Sequence, residues 1–449
     1  MRGWKELFFY VTVSCGMALA TSVFTMISGL FEITSGLGAV IGIALAGLFC
    51  LIIAASIGEL ASLYPSAPAV RTYLKTAFGN RASLLLVYLY LISVVLVAGL
   101  ESFIFSQVFH AAFPSATALP TILVLLFAVT VINLAGLELP RSVQMAATVL
   151  VVLVIALSGI LGLASPKVHL MGDMGHLSLD MLKPVPAVAG MAVFLYMGFE
   201  WVTPVGLRPK SYHRKIPISL LISVSVLIVA FEVFVLGLAA QLKSAGIAST
   251  PIPQVPYFAA IYGSSGVYLA LALALAATVS TFNAGIMGGS RLIYMLAREK
   301  KLPDCCASLS LRTAAPVGAI LLLSGLALVS ALVVLAWRAE ILFAVLGAAI
   351  ICVLYSAFLL SALVLRKRRP DAPRPFRSWV WGPLQWFGVI VLPLMGLQTL
   401  FSEPSLGAWP AYGGVAVVIV ASLLTWVYGF GPRKETAEVG STPAPDSLS

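Results

Sequence analysis

The stretch Phe8–Phe31, FFYVTVSCGMALATSVFTMISGLF, is mostly apolar but interrupted at its middle, where Gly16 is followed by Ala20-Thr21-Ser22, with Thr25 and Ser28 beyond. About 20 predominantly apolar residues cross a hydrocarbon core of about 30 Å as a helix. A plain span needs no group of hydroxyls at its centre. A second apolar stretch, 186–206, repeats the oddity half a chain later with Gly190, Gly198, Pro204 and Gly206. Interrupted segments at corresponding places in two halves point to the midplane site of a transporter. Small residues that simply allow close helix packing are the competing explanation.

Working outward, the whole chain is of one kind. Hydrophobic residues make up 60% of the 449 positions, charged residues 10%, and the mean hydropathy is +1.04. Soluble domains carry roughly 25% charged residues, so a water-facing surface cannot be built from this composition. The short alternating strands of a membrane barrel are absent, which leaves the helix as the way to satisfy backbone polar groups in lipid. About twelve spans are expected, near 8–31, 36–60, 83–110, 119–135, 143–164, 186–206, 216–240, 264–297, 316–337, 341–365, 380–401 and 411–430. With both ends cytoplasmic, 23 of the 27 Lys and Arg fall on that side, leaving Lys167, Lys183, Lys243 and Arg338 on the other. The net charge of +10 is therefore a topology signal of the positive-inside kind and not a nucleic-acid footprint.

The organisation follows from hydropathy. A single transmembrane domain is expected over 1–430, with inverted repeats at about 8–164 and 186–365 and two extra helices over 380–430. Residues 431–449 are too polar to fold and are expected to form a disordered cytoplasmic tail. The first apolar stretch lacks a small-residue cleavage site and leads into a second span, so it reads as helix 1 and not as a removable signal. The Pro-stiffened basic loop 366–375 suits orientation and contact with anionic headgroups of membrane lipids. Cys15, Cys50, Cys305, Cys306 and Cys352 show no disulfide or metal spacing, and His110, His169, His176 and His213 show none for a metal. No cofactor is called for. With no phosphate-cradling glycine motif and no nucleophile–base set, an ATPase or a membrane enzyme is disfavoured.

Longer stretches resemble a known family. Gly58-Glu59-Leu60-Ala61-Ser62-Leu63-Tyr64-Pro65-Ser66-Ala67 is similar to "ELASRFPSAGG", which follows helix 2 in bacterial members of the amino acid–polyamine–organocation permease superfamily. Phe194-Leu195-Tyr196-Met197-Gly198-Phe199-Glu200 resembles its "FFAFIGFE" in helix 6, and Ser280–Arg298 resembles its helix 8 "STLNAGLLGASRVLYAMAR". Lys301-Leu302-Pro303, Ala315-Pro316-Val317 and Arg369–Arg377 continue the likeness in order. The resemblance implies an all-α membrane fold of the five-plus-five inverted-repeat (LeuT) type plus two C-terminal helices, with helices 1 and 6 interrupted and substrate held between helices 1, 3, 6 and 8. Three departures stand out. The family's "GSIIGSGIF" is here Gly16-Met17-Ala18-Leu19-Ala20-Thr21-Ser22-Val23-Phe24, with Ala20 and Ser22 in place of two glycines. Helix 5 lacks the lysine of some proton-coupled relatives. The usual acidic pair after helix 6 is replaced by Leu207-Arg208.

Candidate residues follow from cost and position. An ionisable side chain near the centre of a span costs about 2.5–3.5 kcal/mol on insertion scales, so Glu101, Glu200 and Glu232 are singled out. A substrate site is expected at Ala20, Thr21, Ser22, Glu101, Tyr196, Phe199 and Glu200, with coupling or gating at Glu101, Glu200, Ser280 and Thr281. Structural alternatives stay open for each: a protonated buried acid, a cap on freed N–H groups, a packed aromatic, a hydroxyl bonded to its own helix. Asn283 reads as interhelical glue. The expected function is secondary transport of an amino acid or closely related amine by alternating access, with a proton or sodium ion as co-substrate or by exchange. A polyamine or amine antiporter is the alternative in transport, and a non-transporting amino acid sensor the alternative of another class.

Overall fold

A computed structural model describes residues 2–34, 36–65, 69–137, 141–165, 167, 183–203, 209–380, 382–402 and 404–429. Within them the chain is helical, with no strand. The first span is broken: α1 (Arg2–Ala18) and α2 (Ser22–Ile33) meet at an angle of 54°. Then come α3 (Gly36–Leu63), α4 (Ala69–Ala112), α5 (Ala118–Leu134) and α6 (Arg141–Ala164). The sixth span is α7 (Val185–Ala192) followed by two 3₁₀ turns, Val193–Tyr196 and Phe199–Val202. Beyond it lie α8 (Pro209–Gln241), α9 (Ser244–Ala248), α10 (Gln254–Tyr262), α11 (Gly266–Arg298), α12 (Val317–Trp337), α13 (Glu340–Arg368), α14 (Gly382–Thr399) and α15 (Trp409–Gly429).

Nine of the described helices are long and apolar enough to cross a membrane, and the bent α1–α2 pair makes a tenth. The apolar α5, of 17 residues, and α14, of 18, bring the total to the twelve expected from hydropathy. Pro383, Gln385, Pro393 and Gln398 dilute α14's apolar run. The packing is layered. α13 is almost wholly inside the bundle, whereas α15 is at its rim and presents Trp409, Tyr412, Ile419, Leu423 and Trp426 outward. In a membrane this apolar face meets lipid, with aromatic rings near both of its ends.

Three local features differ from the hydropathy reading. Helix 3 begins earlier than residue 83, because Ala69–Phe78 forms a short helix of its own and Gly79, at φ +80°, bends the chain into the span. In that segment Arg71 is 2% exposed and pairs with Glu299 at 3.0 Å. The connection before α11 is not a plain loop, because α9 and α10 fold in it, and α9 with the turn after it covers α2: Thr25 Oγ1 donates to Pro251 O (2.7 Å) and Ser28 Oγ to Ile247 O (3.1 Å). In the basic loop 366–375, two arginines turn inward. Arg366 Nε and Arg374 Nε donate to Glu59 Oε1 at 2.9 and 3.1 Å, and the Ser378 N–H donates to Oε2 at 2.9 Å. The five cysteines are free. Four are buried and Cys305 is exposed in the short turn between α11 and α12. Pro204, Gly206, Leu207, Arg208, His169, His176 and the tail 431–449 lie outside the described residues, as does the side chain of Asn283.

Candidate functional site

The first break begins with the chain's own hydrogen bonding. Leu19 still bonds back to Cys15 O (3.0 Å), and bonding within the new helix starts with Val23 N–H to Ala20 O (3.2 Å) and Phe24 N–H to Thr21 O (3.2 Å). The N–H groups of Thr21 and Ser22 fall between the two ladders, as the first donors of any helix do. Both are taken by one side chain. The Thr21 N–H donates to Glu101 Oε1 at 2.9 Å and the Ser22 N–H to Glu101 Oε2 at 2.8 Å. Thr278 Oγ1 donates a third bond, to Oε1, at 3.0 Å. Thr21 Oγ1 lies 3.3 Å from Thr278 Oγ1, tying α2, α4 and α11 together. Glu101, on α4, is 1% exposed.

The second break lies against the first. Between the two 3₁₀ turns Gly198 takes φ +106°, the left-handed region that favours glycine. A Cβ there would stand 2.9 Å from Met17 O at the end of α1. Ser14 Oγ donates to Phe199 O at 2.9 Å, a second tie between the breaks. The Gly198 N–H donates to Glu200 Oε2 (3.1 Å), and Tyr90 and Tyr355 donate their hydroxyls to Oε1 (2.8 Å) and Oε2 (2.9 Å). Glu200 thus caps its own break with help from α4 and α13.

A cavity of about 710 Å³, its mouth included, opens where the breaks meet α4, α11 and α12. Ala20, Ser22, Glu101 and Thr281 line it. Thr21 stands beside it, its N–H on Glu101. Tyr196, Phe199 and Glu200 do not line it. They are fully buried behind the break, where Tyr196 Oη donates to Ile43 O (3.1 Å) and Phe199 packs on Tyr355. Ser280 is set back from the cavity too. Its Oγ has no hydrogen-bond partner among the described residues, nor has Thr148 Oγ1, and both crowd Gly16. Thr281 Oγ1 donates to Gly16 O at 3.4 Å. Glu232 Oε1 likewise has no partner among the described residues and lies away from the cavity.

The walls are apolar: Met17, Val94, Phe194, Met197, Trp201 and Phe282 among others. Trp201 stacks on Tyr90 with ring centroids 5.6 Å apart. Its ring fits over Gly288, where a Cβ would come within 2.1 Å of it. Of these residues, Thr278 and the walls from α4 and α12 are not among the sequence candidates. One signal pointed to Thr278: it stands three residues before Thr281 on α11, hence on the same helical face. No group of three or more His, Cys, Asp or Glu that could hold a metal ion occurs among the described residues.

Residues 11–432 match the amino acid permease family. An uncharacterized amino acid permease of Bacillus subtilis (strain 168), YecA, is 24% identical over 277 residues, 58% of this chain and 61% of that protein. Cationic amino acid transporter 5 of Arabidopsis thaliana is 26% identical over 57% of this chain and 43% of its own. The chain thus covers less than two thirds of these two relatives. The aromatic amino acid transport protein AroP of Corynebacterium glutamicum is 25% identical over 426 residues, 89% of each chain. Crystal structures of two mutants of the Eremococcus coleocola manganese transporter superpose with TM-scores of 0.61 and 0.62 at 14% identity, covering 95% of both chains. That likeness shows the fold: the five-plus-five inverted-repeat arrangement with two further C-terminal helices. In sequence and in architecture, this multi-pass membrane protein belongs to the amino acid permease family of the amino acid–polyamine–organocation superfamily.

Proposed function

We propose that the chain is a secondary active transporter that moves an amino acid or closely related amine across the cytoplasmic membrane by alternating access. The observation that carries this reading is the cavity at the meeting point of two broken helices, with the carboxylate of Glu101 in its wall. Broken helices bring backbone dipoles and freed polar groups to the middle of a bilayer, where a polar ligand otherwise finds none. Apolar and aromatic walls suit the body of such a ligand, in keeping with the aromatic amino acids named for the Corynebacterium relative. The drive is a co-transported cation or exchange of one amino compound for another. Each charge moved across 100 mV supplies about 2.3 kcal/mol, enough for a gradient of roughly 50-fold at about 1.36 kcal/mol per decade. Both termini are assigned to the cytoplasm by the distribution of Lys and Arg.

Counterflow in proteoliposomes tests the reading, with vesicles preloaded in turn with amino acids and amines. Gly285 lines the cavity with open space where a side chain would project. Gly285→Trp is therefore expected to abolish counterflow while leaving the melting temperature of the purified protein within a few degrees of wild type. Binding without counterflow for every compound would instead make the chain a sensor.

A further inference from the structure

The cavity holds an unusual distribution of charge. Two backbone N–H groups freed by a helix break are the natural partners of a ligand carboxylate, since the positive end of the helix dipole adds to their donor strength. Here they are not available. Glu101 bridges them with its two oxygens, and Thr278 adds a third donor to the same carboxyl. Among the described residues, none that lines the cavity is Lys, Arg or His. An incoming carboxylate would find its donors occupied, no cation to pair with, and the like charge of Glu101 beside it. Such an uncompensated repulsion is how a site rejects a near-identical ligand.

The same geometry favours an ammonium. A carboxylate offers about four acceptor positions. Three are used, two on Oε1 and one on Oε2, so Oε2 keeps one free. Ser22, whose N–H is on Oε2, also lines the cavity, and its buried Oγ has no hydrogen-bond partner among the described residues. The aromatic side chains of Trp201, Phe194 and Phe282 also line the cavity, and aromatic surroundings tolerate a cation. Among the described residues Glu101 is the one acid that lines the cavity, because Glu200 is bonded to two tyrosines behind the wall and Glu232 lies elsewhere.

Building on the carrier reading above, we infer that Glu101 stands in for the substrate's own carboxylate, so that the preferred substrate is a singly charged amine with an apolar body and no free carboxylate. One carboxylate matches one ammonium, and a second ammonium on a diamine would enter a wall of valine, leucine and aromatic rings.

Matched pairs test this with the full chain in proteoliposomes: 2-phenylethylamine against L-phenylalanine, isopentylamine against L-leucine, and cadaverine against isopentylamine. Wild-type protein is expected to exchange at least one of the two monoamines at least tenfold faster than the corresponding amino acid. In Glu101→Ala the N–H groups of Thr21 and Ser22 are released, and the ratio should swing at least tenfold toward the amino acid of that pair. The wild-type ratio stands on its own if that variant does not fold. Faster exchange of the amino acids than of their amines by wild type, or an unchanged ratio in folded Glu101→Ala, overturns the inference and leaves the carrier reading intact. Cadaverine outpacing isopentylamine overturns the assignment of a single charge. Absence of exchange for every amine and amino acid defeats the carrier reading, and the inference with it.

Discussion

The two helix breaks face the same problem, freed backbone donors in a low-dielectric interior, and meet it in opposite ways. In helix 1 the cap comes from Glu101, 80 positions away on another helix, and its carboxylate borders the cavity. In helix 6 the cap is Glu200, two residues from the N–H it accepts, sealed by Tyr90 and Tyr355 and not among the residues that line the cavity. A long-range cap can be loosened by a movement between helices, whereas a local one travels with its own backbone. The helix 1 cap therefore borders the cavity, whereas at the helix 6 break the cap lies behind the wall that Met197, Gly198 and Trp201 form.

The contrast can be broken most severely at Gly198, where the breaks touch. Ala at φ +106° carries strain of about 1–3 kcal/mol, and its Cβ would meet Met17 O at 2.9 Å. Gly198→Ala is expected to lower the melting temperature of the purified protein markedly or prevent its isolation, with Gly285→Ala as the silent control. Equal melting of both would mean that the breaks are not locked together. A middle-sized effect is expected from Tyr90→Phe combined with Tyr355→Phe. Buried hydrogen bonds are worth about 0.5–1.5 kcal/mol each, so the loss of two should lower stability while the preference between an amine and its amino acid stays unchanged. A shifted preference would show the helix 6 cap to be part of ligand recognition. The smallest effect belongs to Ser14→Ala, which removes the bond to Phe199 O. Side-chain bonds inside membrane bundles average about 0.6 kcal/mol, so thermal unfolding should shift by a few degrees at most.

Much of the architecture could be read from residues alone, because lipid leaves the backbone few choices. Spans are set by apolar length, and the helix 1 break showed itself as hydroxyls where none were needed. Glu101 was legible for the same reason: an acid in a span must have partners. Its partners were not legible. They are backbone groups and Thr278, brought together only when α2, α4 and α11 pack. Around helix 6 the limit is geometric. Tyr196 and Phe199 lie in 3₁₀ segments of four residues each, so the facing of their side chains does not follow the 3.6 period used to read a helix. Both point into the bundle while Trp201, next to them, forms the wall. The Glu59 pairs with Arg366 and Arg374 join residues more than 300 positions apart, a distance no local pattern encodes.

The cysteine pair between α11 and α12 has a practical consequence. Burial and the neighbouring Cys305 push the Cys306 thiol up to about 11, while its neighbour is the exposed one of the five. Thiolate, not thiol, is the reacting species, and the remaining three cysteines are buried within helices. Cys305 is thus a built-in labelling handle on the unmodified protein. A maleimide that cannot cross a bilayer should leave intact cells unlabelled and mark Cys305 once they are opened, which reads the sidedness of the whole chain from a single native atom.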